Sequence, residues 1–329
     1  MITFAQIGVG YWGPNILRNL DINDDVYIKY VVEISSERAK FVKENYNSII
    51  VTDKIEIVLK DPEVNAVVIS TPVETHFNLA RKCLQAGKHI LVEKPMAKTS
   101  NEVEDIIQLA KKNNLIAMVG HTFLYNSAVR KVKEIIDKGE IGDIRYIYSQ
   151  RLNLGRIRND VDVLWNLAPH DISIIQFWLG DPDTLSVHRN GMSYIQKEID
   201  DVVFLNIEYP KKIIAHIHVS WLDPHKIRKM TVVGSKKMIV YDDIGDIKVT
   251  VHDKGIDEIS VLGKKMDYDK SSVPKYVHRS DLVKIPYIDW VEPLKVEIAH
   301  FIDCIENGTK CLTDGVHAKS VVKILEKGS

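Results

Sequence analysis

Four groups of residues in this 329-residue chain have types and spacings that could do chemistry together. Gly8-Val9-Gly10-Tyr11-Trp12-Gly13 reads G-x-G-x-x-G and stands between an apolar run at 2–7 and a helical stretch at 14–20. In that context Gly8 permits a tight turn, Gly10 lets backbone amides approach a pyrophosphate, and Gly13 lets a helix pack close to a strand; the phosphate charge falls on the helix N-terminus. Glu33 ends the second apolar run, 25 residues after Gly8. A carboxylate there accepts from an adenosine ribose 2′-hydroxyl and repels a 2′-phosphate, which favours NAD over NADP. Arg38, the one nearby cation that argues otherwise, falls inside the next helical stretch. Glu93-Lys94-Pro95 follows the fifth apolar run, at the carboxyl edge of a sheet where ligands bind; the proline restricts the backbone of Lys94. A lysine so placed can approach a nicotinamide and a substrate hydroxyl, although Glu-Lys-Pro taken alone also suits a surface turn.

The fourth group lies in the second half. Residues 167–179 read as a helix with Ile172, Ile175, Trp178 and Leu179 on one face, and Pro169 fits only its first turn. His170 would then sit at the positive dipole end, where a neutral imidazole is favoured and can accept a proton; read alone, it serves equally as a capping or packing histidine. Arg151, Arg156 and Arg158, three arginines in eight residues, suit phosphate oxygens, or belong to a solvated loop neutralised by Asp160 and Asp162.

Positioning these groups needs a particular scaffold. Short apolar runs at 2–7, 28–32, 48–51, 66–69, 89–92 and 116–119 alternate with helical stretches at 14–20, 36–45, 54–60, 75–86 and 99–114. That alternation predicts βαβ units in a doubly wound parallel sheet, an α/β fold. From about 140 the strands follow one another: 144–151, 185–189, 202–209, 213–220, 229–234, 238–241 and 247–252. Their short connections predict an α+β second domain with a large open, mostly antiparallel sheet. Residues 253–290 show no period and read as a long excursion; amphipathic helices follow at 293–307 and 316–325. The expected domains are 1–121, binding the dinucleotide, and 122–329, binding substrate and carrying both C-terminal helices.

Composition narrows the class. Lys+Arg total 44 against 45 Asp+Glu, so the basic excess of a nucleic-acid binder is missing. No apolar run approaches a membrane span and the start lacks the pattern of a secretory signal, so we expect a cytoplasmic protein. Cys83, Cys304 and Cys311 lack paired-motif spacing; they indicate neither a disulfide framework nor a metal site and read as buried small hydrophobes.

Several motifs now occur in order: Gly8–Gly13, Ser70-Thr71-Pro72 with His76, Glu93-Lys94-Pro95, Gly120-His121, and Trp165-Asn166-Leu167-Ala168-Pro169-His170-Asp171. Together they resemble the glucose–fructose oxidoreductase / inositol dehydrogenase / rhizopine-catabolism (Gfo/Idh/MocA) family over nearly the whole chain. The resemblance implies an NAD-dependent oxidoreductase that moves a hydride between nicotinamide and a sugar or cyclitol carbinol, as a homodimer or homotetramer joined through the open sheet. It implies cofactor contacts from Gly8, Gly10, Tyr11, Trp12, Gly13, Glu33, Ser70, Thr71, Pro72, His76, Glu93 and Lys94. The family lysine maps onto Lys94 and its Asp-x-x-x-His onto Asn166 to His170. Asn166 replaces the aspartate, and an amide cannot take a proton, so catalysis would fall to Lys94 and His170. The segments 120–126 and 150–166 look most like members acting on nucleotide sugars of the UDP-N-acetylglucosamine type. Tyr125, Arg151, Arg156, Arg158, Asn166, Lys94 and His170 would then contact substrate. A free cyclitol or aldose dehydrogenase, and a catalytically silent NAD-binding sensor, stay open as alternatives.

Overall fold

The computed structural model describes residues 1–259, 275–279 and 282–329. In chain order the first strands and helices are β1 (Ile2–Ile7), α1 (Gly13–Asp21), β2 (Val26–Val32), α2 (Ser36–Asn45), β3 (Ile50–Thr52) and α3 (Ile55–Lys60). Then come β4 (Ala66–Ile69), α4 (Val73–Gln85), β5 (His89–Glu93), α5 (Ser100–Lys112) and β6 (Ala117–Gly120). The six strands form one parallel sheet in the order β3-β2-β1-β4-β5-β6. All four residues of β4 are buried, as expected for a strand covered on both faces. The order reverses between β1 and β4, the switch point that opens a crevice at the carboxyl edge of such sheets.

The rest of the chain supplies α6 (Ser127–Asp137), β7 (Ile144–Leu152), α7 (Val163–Leu179), β8 (Ser186–Met192), β9 (Val202–Tyr209), β10 (Ile213–Ser220) and β11 (Ile227–Gly234). It ends with β12 (Met238–Asp242), β13 (Val249–His252), β14 (Gly255–Ile259), β15 (Lys275–Arg279), β16 (Val283–Lys284), α8 (Pro293–Asn307) and α9 (Gly315–Lys327). Helix α6 was missed in sequence. So was the pairing of β14 with β15, which lies in the stretch read as a long excursion without a period.

Two compact units result: residues 1–127, 172–181 and 290–329, and residues 128–171 and 182–289. The C-terminal helices, expected in the second domain, therefore belong with the parallel sheet. The reason is packing. Leu294, Ile298, Phe301 and Ile302 of α8 share a core with Phe4, Leu17, Leu20 and Ile28, and the Phe4 and Phe301 rings meet edge-on at 6.0 Å. Each such buried side chain contributes about 1.5–3 kcal/mol. At the start of α8, Glu292 accepts from Arg18 (2.6 Å) and Asn19 (3.0 Å) of α1. Ahead of α9, the Thr313 carbonyl accepts from Val119 N–H of β6 (2.9 Å).

The second unit holds an eight-stranded sheet, β16-β13-β12-β11-β7-β10-β9-β8, antiparallel except where β7 meets β10. Val203, Leu205, Ile207, Ala215, Ile217 and Val219 line its buried face, as the alternation predicts. Tyr148, Phe204, His216 and His218 alternate with them on the more open face, where their rings stack.

Arg151 points into the buried layer. Its Nε donates to Asp171 Oδ2 at 2.6 Å, Ser149 Oγ donates to Asp171 Oδ1 at 2.7 Å, and both ends of the ion pair are nearly inaccessible. Arg151 therefore ties β7 to α7 and has no fork left for a substrate phosphate, which corrects the substrate-binding expectation. Removing one partner strands a buried charge, so Arg151→Ala should cost about 3–5 kcal/mol in unfolding free energy by denaturant titration. A loss below about 1 kcal/mol, the range of a surface pair, would contradict this reading.

Candidate active site

The glycine turn is held from beneath. Gln6, a polar residue in an otherwise apolar strand, donates through Nε2 to the carbonyls of Gly8 and Gly13 (both 3.0 Å), and Ser70 Oγ donates to Gly8 O at 2.7 Å. Gly8 has φ +88°, and a Cβ there would lie 2.8 Å from the Ser70 carbonyl; one at Gly13 would lie 3.0 Å from Gly8 O. Both are demanded by the protein's own packing. A Cβ at Gly10 would meet nothing nearer than 3.7 Å, so no internal packing requires that glycine and the space above it is free for a ligand. Helix α1 begins there without a side-chain cap, leaving its first amides to an anion. Tyr11 and Trp12 are exposed beside them. The turn thus fits a dinucleotide pyrophosphate.

Glu33 is buried rather than a solvated strand end. Its Oε2 accepts from Val9 N–H at 2.6 Å and its Oε1 from Ser35 N–H at 2.8 Å, which fixes the carboxylate beside the turn. Arg38 lies in α2 as expected, but its Nη1 is the nearest side-chain atom to the position of a Gly10 Cβ. The cation passed over in sequence therefore stands at the glycine turn.

Thr71 and Pro72 follow β4, and Ser70 serves the turn from below. His76 of α4 is buried, with Nδ1 2.8 Å from Pro95 O and Nε2 2.8 Å from Thr71 O. Its ring bridges the loops after β4 and β5. Burial holds its pKa below the usual value, and a neutral ring donates to only one of the two carbonyls. The structure gives His76 a positioning task and leaves no ring nitrogen for a cofactor atom, which corrects that expectation.

Lys94 follows β5 and is half-buried; the Lys94–Pro95 peptide is cis. Its N–H donates to Glu93 Oε2 at 3.2 Å. Burial pushes the Glu93 carboxyl up to about 7, against the pull of the Lys94 charge. Glu297 of α8, accepting from Thr122 Oγ1 at 2.7 Å, is held well above the carboxylate range by burial, and the nearby Glu93 adds to the shift. His121, after β6, is buried and held well below the imidazole range by burial, then by His317 and Lys94. The His121 and His317 rings meet edge-on at 5.1 Å, and His317 Nδ1 lies 2.7 Å from Asp181 Oδ1. Burial thus shifts Glu93, Glu297 and His121, the groups near Lys94, toward their neutral forms. Sequence reading overlooked Gln6, Glu297 and His317; a lone polar residue in an apolar strand or helix face was the available signal.

Tyr125 is buried in the core of the first unit, its hydroxyl 3.0 Å from Thr313 Oγ1, which corrects the substrate-binding expectation. In the second unit, α7 begins at Val163 rather than 167. Asp162 caps it, accepting from Trp165 N–H at 2.9 Å, and also pairs with Arg189 at 2.7 Å. Pro169 therefore lies inside the helix, at a cost of about 3 kcal/mol. His170 is the eighth helical residue, and the dipole reason for its neutrality lapses. Asn166 Oδ1 accepts from Trp221 Nε1 at 3.2 Å. Arg158 pairs with Asp160, its sequence neighbour, while Arg156 is exposed.

A carboxyl whose pKa is raised from 4.5 to about 7 on folding keeps its proton in the native state where the unfolded chain has lost it. Stability should therefore fall as pH rises from about 4.5 to about 7, then level off. Thermal melts of Glu93→Gln should show a shallower fall across that window than the unsubstituted protein; equal slopes would contradict the assignment.

Residues 2–121 match the Gfo/Idh/MocA oxidoreductase family, NAD-binding Rossmann fold, and residues 129–240 match the Gfo/Idh/MocA C-terminal domain. An uncharacterized oxidoreductase of Streptococcus pneumoniae is 26% identical over 230 residues, 65% of this chain and 61% of its own; the chain thus spans about three fifths of that relative. Myo-inositol 2-dehydrogenase of Thermotoga maritima is 23% identical over 259 residues, 75% of this chain and 77% of its own. The solved structure of UDP-N-acetylglucosamine 3-dehydrogenase from Acidithiobacillus ferrooxidans shares the fold, with TM-score 0.81 at 22% identity, covering 99% of this chain and 95% of that one. The chain belongs to the Gfo/Idh/MocA family of oxidoreductases, and its parallel-sheet unit is an NAD-binding Rossmann domain.

Proposed function

We propose that this protein is an NAD-preferring dehydrogenase acting on a sugar carbinol, C3 of a nucleotide sugar. The observation that carries the reading is Lys94: a half-buried lysine at the end of β5, on the same sheet edge as the glycine turn, near carboxyls and a histidine that burial shifts toward their neutral forms. Gly8 to Gly13, with Tyr11 and Trp12, would hold the pyrophosphate, and Glu33 the adenosine ribose; Thr71 and Pro72 would border the nicotinamide half. The bound nicotinamide supplies the hydride acceptor or donor. Lys94 stabilises the charge that develops on the reacting oxygen. His170 takes the hydroxyl proton, and Asn166, its oxygen engaged by Trp221, orients a substrate hydroxyl through its amide N–H groups.

The nucleotide-sugar assignment draws support from the dehydrogenase of Acidithiobacillus ferrooxidans with the same fold, and from Arg156 and Arg158 as candidates for the diphosphate. A second reading, a free cyclitol dehydrogenase, is favoured by one observation: Arg151 is consumed by Asp171 and Arg158 is paired with Asp160. A homo-oligomer closing the open sheet face, with its stacked Tyr148, Phe204, His216 and His218, belongs to either reading.

Absorbance of NADH should rise with a UDP- or dTDP-sugar and stay flat with free sugars and inositols; turnover of an inositol alone selects the second reading. No turnover with any polyol would overturn both. On the active substrate, Lys94→Ala should lower kcat by about 10²–10³ and His170→Ala by about 10²–10⁴, with the NAD-induced rise in Tm retained. A kcat within a few-fold of the parent would remove either residue from the mechanism.

Cofactor choice tests the pair at the turn. NAD should be preferred over NADP by about tenfold or more, and Glu33→Ala should narrow that ratio by about 10–100-fold, since it removes a charged acceptor and leaves Arg38. An unchanged ratio would show that Glu33 only holds the turn.

A further inference from the structure

The end of α8 carries a cluster that the proposed reaction does not use. His300 and Cys304 are four residues apart, on one face of the helix. Gly308, at φ +68°, ends the helix in the left-handed region and turns the chain back, so that Cys311 returns to the same place. One ligand atom from each of the three side chains lies within 4.8 Å of the others; among the described residues this is the one such trio of histidine, cysteine and acidic groups. Two of the three cysteines of the chain converge there.

We propose that His300, Cys304 and Cys311 form a binding site for one thiophilic metal ion of the Zn²⁺ class. The donor set, two sulfurs and one imidazole nitrogen, is the one such ions select over the hard cations. The spacing suits it too. Metal–nitrogen bonds of about 2.0–2.1 Å and metal–sulfur bonds of about 2.3 Å at a tetrahedral angle separate nitrogen and sulfur by about 3.5–3.6 Å. His300 Nε2 and Cys304 Sγ stand 3.5 Å apart. His300 Nε2 accepts from Leu312 N–H at 2.9 Å, so this nitrogen carries no proton, as a metal ligand must not. Binding asks that this N–H release the ring nitrogen. Cys304 and Cys311 are largely covered and His300 is partly exposed, which gives the ion a way in, while the Tyr125 ring stands 5.6 Å from that of His300.

The balance of the step is simple. Zn²⁺ joins the imidazole nitrogen and two thiolates, the two thiols release two protons, and no electron moves. The bond would fasten the end of α8 to the segment that runs into Thr313, whose carbonyl accepts from Val119 of β6 and whose hydroxyl meets Tyr125. The site is therefore structural: it secures the C-terminal helices on the Rossmann sheet.

The test uses the untagged full chain under reducing conditions, titrated with Co²⁺ and then Zn²⁺. Co²⁺ should give a thiolate-to-cobalt charge-transfer band that saturates at about one equivalent and is lost on adding Zn²⁺. Native mass spectrometry should show one Zn²⁺ gained and two protons lost. Cys311→Ser, a near-isosteric change, should abolish the band, and His300→Ala, at the partly exposed position, should weaken uptake by more than about tenfold. Because the wild-type measurements need no variant to fold, they decide the matter on their own. No saturable band in the reduced wild type overturns the proposal, as does a band that survives in Cys311→Ser, or thiols that pair as a disulfide and take up no ion once reduced.

Discussion

The crevice depends on how closely the first helix can approach the ends of β1 and β4. That approach is set by three carbonyl and amide groups that have no water to turn to. Gln6 and Ser70 satisfy the Gly8 and Gly13 carbonyls from inside the sheet, and Glu33 satisfies the Val9 amide from the end of β2. A buried polar group costs about 1–3 kcal/mol when left without a partner, so each of these side chains is held in place by the same backbone it supports. The turn is consequently rigid before any ligand arrives, with only the flank of Gly10 open. Preorganised amides at a helix N-terminus are what an anion needs, since none of its binding free energy goes into arranging them.

The electrostatics beside the turn follow from burial. Glu93, Glu297 and His121 stand where charge is poorly solvated, and each moves toward its neutral form. The further burial shifts a carboxyl next to Lys94 toward its protonated form, the less it cancels the field that a developing alkoxide requires. His76 contributes by another route, bridging the loops that carry Thr71 and Pro95 and so fixing the backbone on both sides of the crevice wall.

In the second unit, charges that look like ligand-binding groups serve the scaffold. Arg151 and Asp171 form a buried pair joined by Ser149, and Arg189 gathers Asp162 and Asp200 at the start of α7. The capping by Asp162 allows α7 to start ahead of Pro169 and to carry a proline in its interior. The helix that bears His170 is thus anchored at its N-terminus and at Asp171, immediately next to the histidine, while the imidazole stays only half-buried.

The sequence by itself determined the periodic parts. Six apolar runs separated by helices allow only a parallel sheet, because such strands must be covered on both faces, and the clean alternation in 202–220 requires a sheet with one buried face. It also singled out Gly8 to Gly13, Glu33 and Lys94 as candidates, because glycine spacing and strand ends are local properties. What it could not decide was the partner of each charged or polar side chain. Arg151 meets Asp171 twenty residues on, Tyr125 meets Thr313, and Cys304 meets Cys311 only after Gly308 reverses the chain. The allegiance of the C-terminal helices was likewise settled by tertiary packing: amphipathic faces declare that they must be buried, and only shape complementarity with Phe4 and α1 decides against what.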